Sequence, residues 1–205
     1  VAVEFASPPG SAHEIALTGF QNLARFTQRS HREGEAGMQA LPETDVTLSA
    51  PRPVHHLGLL QIVARESIRN SAATGWQYLV LTEDGAVASS ELSIGSDERP
   101  PVLEQVNMGP FVQSTASALR GLDDIPDVQS GRYELRTLKI PALWAFLLWL
   151  RQLDGNADLY IALSPAPKFL QAGRIYHEGE LLDALEGPAR KRLEFDNSPR
   201  SRTEN

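Results

Sequence analysis

Five histidines and no cysteine set the range of side-chain chemistry open to this chain. Without thiols there is no disulfide framework, no thiolate zinc site and no cysteine nucleophile. His55-His56 is the densest titratable pair. On a strand these two neighbours point to opposite faces, so both cannot ligate one metal. Zinc needs three or more converging ligands, and His13, His31 and His177 show no ligand spacing. His177-Glu178, with Arg174 close before it, has the composition of an acid–base pair. The same glutamate suits the negative charge that a helix N-terminus favours. No metal and no cofactor is expected.

Other motifs fail on spacing. Asp154-Gly155-Asn156-Ala157-Asp158 opens like a calcium loop. Leu159 then stands where that loop needs glycine, and Pro165 where it needs a bidentate glutamate. It reads as a turn between a helix and a strand. No G-x-S-x-G elbow surrounds any serine, and neither G-x-G-x-x-G nor a P-loop is present. Asn107-Met108-Gly109-Pro110-Phe111 has the form of an anion-binding helix start, but Pro110 removes one of the donors. Arg190-Lys191-Arg192 reads as a solvated helix end.

The elements that position these residues follow from hydrophobic period. Residues 12–30 carry an amphipathic helix with Phe20, Leu23 and Phe26 on its apolar side. Residues 31–53 are rich in Gly, Pro and charge and read as a linker. Residues 59–73 read as a helix, as do 108–120 and 178–193, the last broken or kinked at Gly187-Pro188. Asp84-Gly85 between two apolar runs predicts a hairpin over 76–94. Residues 133–140 and 158–163 read as strands, and 121–130 as an acidic loop.

The centre of the chain is residues 132–167. Pro141 predicts a helix start, and 141–153 reads as a helix with Leu143, Phe146, Leu147, Leu150 and Leu153 on its main face. Trp144 and Leu148, beside Arg151, fall on a second side that one sheet face would leave uncovered. The predicted fold is therefore α+β: a mostly antiparallel sheet with four helices packed on it, and an N-terminal helical appendage. The domains are 1–52 as an extension, 53–194 as one α+β domain, and 195–205 as a disordered tail.

The chain resembles an uncharacterised family of bacterial proteins at Gly75-Trp76-Gln77-Tyr78-Leu79, at Gly109-Pro110-Phe111, and from Tyr133-Glu134-Leu135-Arg136 through Ile140-Pro141-Ala142-Leu143-Trp144. The resemblance extends to Leu163-Ser164-Pro165-Ala166-Pro167 and spans 53–194. It implies a bacterial, cytoplasmic protein with one α+β domain, and it brings no site residues with it.

Composition bounds the function. Across 205 residues, 41% are hydrophobic and 22% charged, within the globular range. A net charge of −7 disfavours a phosphate-backbone partner. No apolar run reaches the roughly 18–20 residues of a membrane span, and the opening Val1-Ala2-Val3 shows no secretory pattern. The expectation is a non-enzymatic protein-binding or assembly protein that acts through Trp144, Leu148 and Arg151, or through Phe20, Leu23 and Phe26. It would take a protein partner or a second copy of itself. The alternative is a small-molecule-binding or hydrolytic domain using His55 or His56, Arg136, His177 and Glu178.

Overall fold

The computed structural model describes residues 3–32, 41–42, 45–96 and 98–196. In chain order its elements are β1 (Val3–Glu4), α1 (Ala12–Arg32), β2 (Thr47–Leu48), β3 (Arg52–His56), α2 (Leu59–Val63), β4 (Ala73–Thr82), β5 (Gly85–Ser93) and β6 (Leu103–Asn107). They continue with α3 (Pro110–Arg120), α4 (Pro126–Ser130), β7 (Tyr133–Ile140), β8 (Ala145–Gln152), β9 (Leu159–Ala162), β10 (Ile175–Tyr176) and α5 (Glu178–Asp196). The strands form one sheet in the order β10-β9-β8-β7-β3-β4-β5-β6, with β1 also on β7 and β2 also on β4. All pairings are antiparallel except β1–β7 and β3–β7. The fold is α+β with a large, mostly antiparallel sheet.

Two antiparallel halves, β7 to β10 and β4 to β6, meet at β3. That strand runs parallel to β7 on one side and antiparallel to β4 on the other. One face of the sheet carries α1 over β4 and β5 and α5 over β7 and β8. Phe20, Ala16 and Ala24 of α1 are buried against Trp76, Tyr78 and Val80 of β4 and Ala88 and Leu92 of β5. Leu181, Leu182, Leu185 and Ala189 of α5 pack with Leu138, Leu147 and Trp149. The opposite face carries α3 and α4, packed over Leu135, Leu148 and Leu150 on one side and Leu79 and Ala86 on the other.

Residues 141–153 are not a helix. Pro141–Leu143 form a single 3-10 turn, Trp144 takes a left-handed φ of 52°, and the chain continues as β8. The physical reason is two-sided cover. Leu147 and Trp149 enter the core beneath α5, while Leu148 and Leu150 enter the core beneath α3 and α4. A strand buried on both faces is apolar at every position, so it mimics an over-apolar helix. The expected second side formed by Trp144, Leu148 and Arg151 is thereby dissolved.

Other boundaries shift for local reasons. The helix expected over 59–73 is only the five residues of α2 and a 3-10 turn at Ile68–Asn70, because β4 already starts at Ala73. The loop expected over 121–130 contains α4 and the 3-10 turn Leu122–Asp124. Helix α5 runs unbroken through Pro188 to Asp196. Of the tail expected at 195–205, residues 197–205 lie outside the described residues, as do 33–40 of the linker. Among the described residues no helix is long and apolar enough to cross a membrane.

Candidate functional site

Sheet register builds the most unusual surface of the molecule. Arg52 of β3 pairs with Gln77 of β4, Gln77 with Glu91 of β5, and Glu91 with Gln105 of β6. Four polar side chains therefore stand in one row across four strands, on the face that α3 crosses. Thr137 and Lys139 of β7 share that face, two residues apart. Arg52, Gln77, Glu91, Thr137 and Lys139 are all buried. Interior sheet positions are normally apolar, and buried charge is costly unless paired.

Hydrogen bonds tie the row together. The ammonium of Lys139 donates to Glu91 Oε2, and Gln105 Nε2 donates to the same oxygen at 3.0 Å. Thr137 Oγ1 donates to Gln77 Oε1 at 3.1 Å, and Arg52 Nη2 donates to that oxygen at 3.3 Å. The Lys139–Glu91 pair is almost fully enclosed, with 7% and 5% of the two side chains exposed.

The row opens at one end into a cleft of about 280 Å³. Its floor is Gln77, Ser89, Gln105, Asn107, Thr137 and Lys139. The walls are apolar: Met108 from the turn before α3, Phe111 from its first turn, Phe146 from β8, and Leu163. Phe111 and Phe146 touch with ring centroids 4.5 Å apart. Trp144 stands at the rim, 76% exposed. Glycine at position 109, with φ of 97°, lets the chain turn from β6 into α3 and so sets the wall. The ion pair neutralises itself, which leaves carboxamides as the working groups. A carboxamide both donates and accepts, so the floor complements a neutral amide such as a peptide group.

The residues singled out from sequence are placed as follows. Trp144 is at the cleft, Leu148 is fully buried beneath α3 and α4, and Arg151 lies on the opposite face of β8 from Leu148. Phe20 is buried in the protein's own sheet, Leu23 packs partly beside it, and Phe26 is 58% exposed. His56 is exposed. Arg136 pairs with Glu134, lies over the Trp149 ring at 4.8 Å and reaches His55 Nε2 at 3.4 Å. Glu178 accepts from Ser67 Oγ and from the Ile68 amide, which anchors α5 to the loop after α2. His177 is exposed. Among the described residues no hydrogen bond or ion pair joins any two of His56, Arg136, His177 and Glu178.

His55 is buried and its Nδ1 lies 2.9 Å from the Ser71 carbonyl oxygen. A carbonyl only accepts, so Nδ1 carries the proton and Nε2 faces Arg136 as an acceptor. Burial pushes the imidazole pKa down to about 4, so the ring is neutral near pH 7. Asp158, from the calcium-like turn, is buried and accepts from Arg69, from Trp149 Nε1 at 2.9 Å and from the Gln152 amide at 2.9 Å. Its carboxylate holds the β8–β9 hairpin together.

Comparison with protein-family models, with curated proteins and with solved structures finds no match to this chain. The site therefore stands on its own geometry. Sequence reasoning missed Gln77, Glu91, Gln105 and Lys139 because each looks like one polar residue on the solvent side of an amphipathic strand. Only register aligns them, and register is not written in any single strand.

Proposed function

We propose that the protein is a non-enzymatic binding or assembly protein whose docking site is the cleft rimmed by Trp144. The observation that carries this reading is the buried polar row ending in an open cleft with aromatic walls. At about 280 Å³ the cleft falls just below the roughly 300–1,000 Å³ typical of metabolite and cofactor pockets. That size suits one or two residues of a polypeptide, with an apolar side chain against the touching rings of Phe111 and Phe146 and its peptide group on Gln105 and Asn107. Aromatic anchors in such pockets dominate binding energy between proteins. The family resemblance adds the expectation of a bacterial, cytoplasmic setting, and a second copy of the chain is one candidate partner.

The test is selection of short peptides by display against the immobilised protein, followed by titration of the winners. Enriched peptides should share an apolar residue and lose at least tenfold in affinity on Trp144→Ala and on Phe146→Ala, with each variant's melting temperature reported. Failure to enrich any motif, or binding indifferent to both substitutions, refutes the reading. Light scattering on the full chain, alone and with Trp144→Ala, separates self-association from binding to another protein.

A further inference from the structure

The inner and outer ends of the cleft floor present different atoms. Arg52 Nη2 donates to Gln77 Oε1 at 3.3 Å. A guanidinium only donates, so this contact fixes the carboxamide, with its oxygen towards Arg52 and Nε2 away from it. Thr137 Oγ1 donates to the same oxygen at 3.1 Å, and Nε2 has no partner. Gln105 is held the other way round. Its Nε2 donates to the Glu91 carboxylate at 3.0 Å, which leaves Oε1 as the free atom. Ser89 Oγ also makes no hydrogen bond.

Gln77 is only 9% exposed and Ser89 4%. Among the described residues the fully enclosed side-chain atoms without a partner are Arg52 Nε, Arg151 Nε and the hydroxyls of Tyr78 and Tyr160. Gln77 Nε2 and Ser89 Oγ are not among them, so both meet solvent in the cleft that their residues line. Gln77 pairs with Glu91 and Leu79 with Ser89, so Gln77 and Ser89 are diagonal neighbours on one face. Lys139, bonded to Glu91, lines the cleft with them. The inner floor therefore offers donors, and the outer floor offers the Gln105 oxygen.

Charge favours an anion at that inner end. The row buries two cations, Arg52 and Lys139, against one carboxylate, Glu91. Among the described residues no carboxylate pairs with Arg52. Burial pushes its pKa down to about 10, which still leaves it cationic at neutral pH. An enclosed cation without a counter-charge is costly. Its hydrogen bond polarises the Gln77 carboxamide and strengthens the Nε2 donors. An anion on those donors offsets the charge of Arg52 without touching the guanidinium.

We propose that the segment docked in the cleft is a free polypeptide C-terminus with an apolar last residue. This rests on the cleft being a peptide-docking site, and it names the part of the peptide that the cleft takes. The terminal α-carboxylate accepts from Gln77 Nε2 and Ser89 Oγ, beside Lys139. The last side chain lies against Phe111 and Phe146, and the last amide donates to Gln105 Oε1. Capture of a terminal carboxylate is a recurring mode of peptide recognition. A cleft with room for one or two residues suits a chain that stops there.

Two display libraries of random heptapeptides test this against the full chain. One presents them at the free C-terminus of the carrier, the other closed within a carrier loop. The first should enrich peptides with an apolar last residue, and the second should enrich none. Synthetic winners are then titrated by calorimetry as the free acid, as the C-terminal amide and with one glycine appended. The amide and the extended peptide should each bind at least tenfold more weakly than the acid. Hexanoate, a carboxylate with an apolar tail and no peptide group, should also bind at least tenfold more weakly. Gln77→Glu keeps an acceptor for Arg52 and supplies its counter-charge, but turns the cleft-facing donor into an acceptor. Its melting temperature should be unchanged or raised, and its affinity for the acid at least tenfold lower. Ser89→Ala should weaken the acid at least threefold and leave the amide unchanged. Winners from the loop library, an amide or extended peptide equal to the acid, or hexanoate as the tighter ligand overturns this inference and leaves peptide docking standing. So does acid binding unchanged in both variants. No enrichment from either library overturns the docking reading as well. Should Gln77→Glu fail to fold, the peptide series and Ser89→Ala decide alone.

Discussion

His55 is enclosed on the face shared with Trp149, whose ring meets it edge-on with centroids 4.9 Å apart. Its folded pKa of about 4 lies below the ordinary 6.5. Above about pH 6.5 the ring is neutral in both states and pH has no effect through it. As pH falls from 6.5 towards 4 the unfolded chain takes up a proton that the folded chain refuses, so stability declines across that window. The melting temperature should therefore fall between pH 7 and pH 4. In His55→Asn, whose amide can still donate to the Ser71 carbonyl, that fall should be shallower; an unchanged slope would show that other groups set it.

The Lys139–Glu91 pair makes a different prediction. Removing one partner strands a buried charge, so Glu91→Leu or Lys139→Met alone should cost about 3–5 kcal/mol. The double variant should recover most of that loss, since an apolar pair of similar volume is often neutral or better. A double-mutant cycle by urea denaturation measures the coupling. Additive losses would mean that the two groups do not depend on each other.

At the scale of elements, β8 is the decisive case. A helix over 141–153 would bury Leu147 and leave Leu148 beside Arg151 on a flank. A strand covered on both sides buries the two alike. Leu147→Ala and Leu148→Ala should each cost about 2–5 kcal/mol in chemical denaturation. A loss below about 0.5 kcal/mol at Leu148 would restore the helical flank. The amphipathic elements were legible in the sequence: α1, α3 and α5 follow from their period, and the β4–β5 hairpin from Asp84-Gly85. The failure at β8 has one cause. Where both faces are buried the period-2 signal disappears, and the nine apolar residues from Ala142 to Leu150 after Pro141 satisfy a helix as well as a strand.

The whole molecule rests on how the two half-sheets are joined. The polar row could not be read ahead of the fold, because Arg52, Gln77, Glu91 and Gln105 meet only after four strands are in register. Arg52 looked like part of a linker for the same reason: its enclosure comes from β1, β4 and α3, which are distant in sequence. The joint should show in hydrogen exchange. The amides of β3 that bond to neighbouring strands should exchange as slowly as those of β4 and β7, since opening β3 separates the halves. Fast exchange at 52–56 beside slow exchange in β4 and β7 would show that the halves hold independently.

The parallel pairing of β3 with β7 also sets an order of events during synthesis. Strands β4, β5 and β6 follow β3 directly, but β7 begins at residue 133, about eighty residues later. Until β7 leaves the ribosome, β3 can pair only with β4, and its other edge is bare. A nascent bare edge invites pairing with another chain. His55 and His56 lie in the register of that edge, so it presents polar residues in place of an unbroken apolar run and is a poorer template for aggregation.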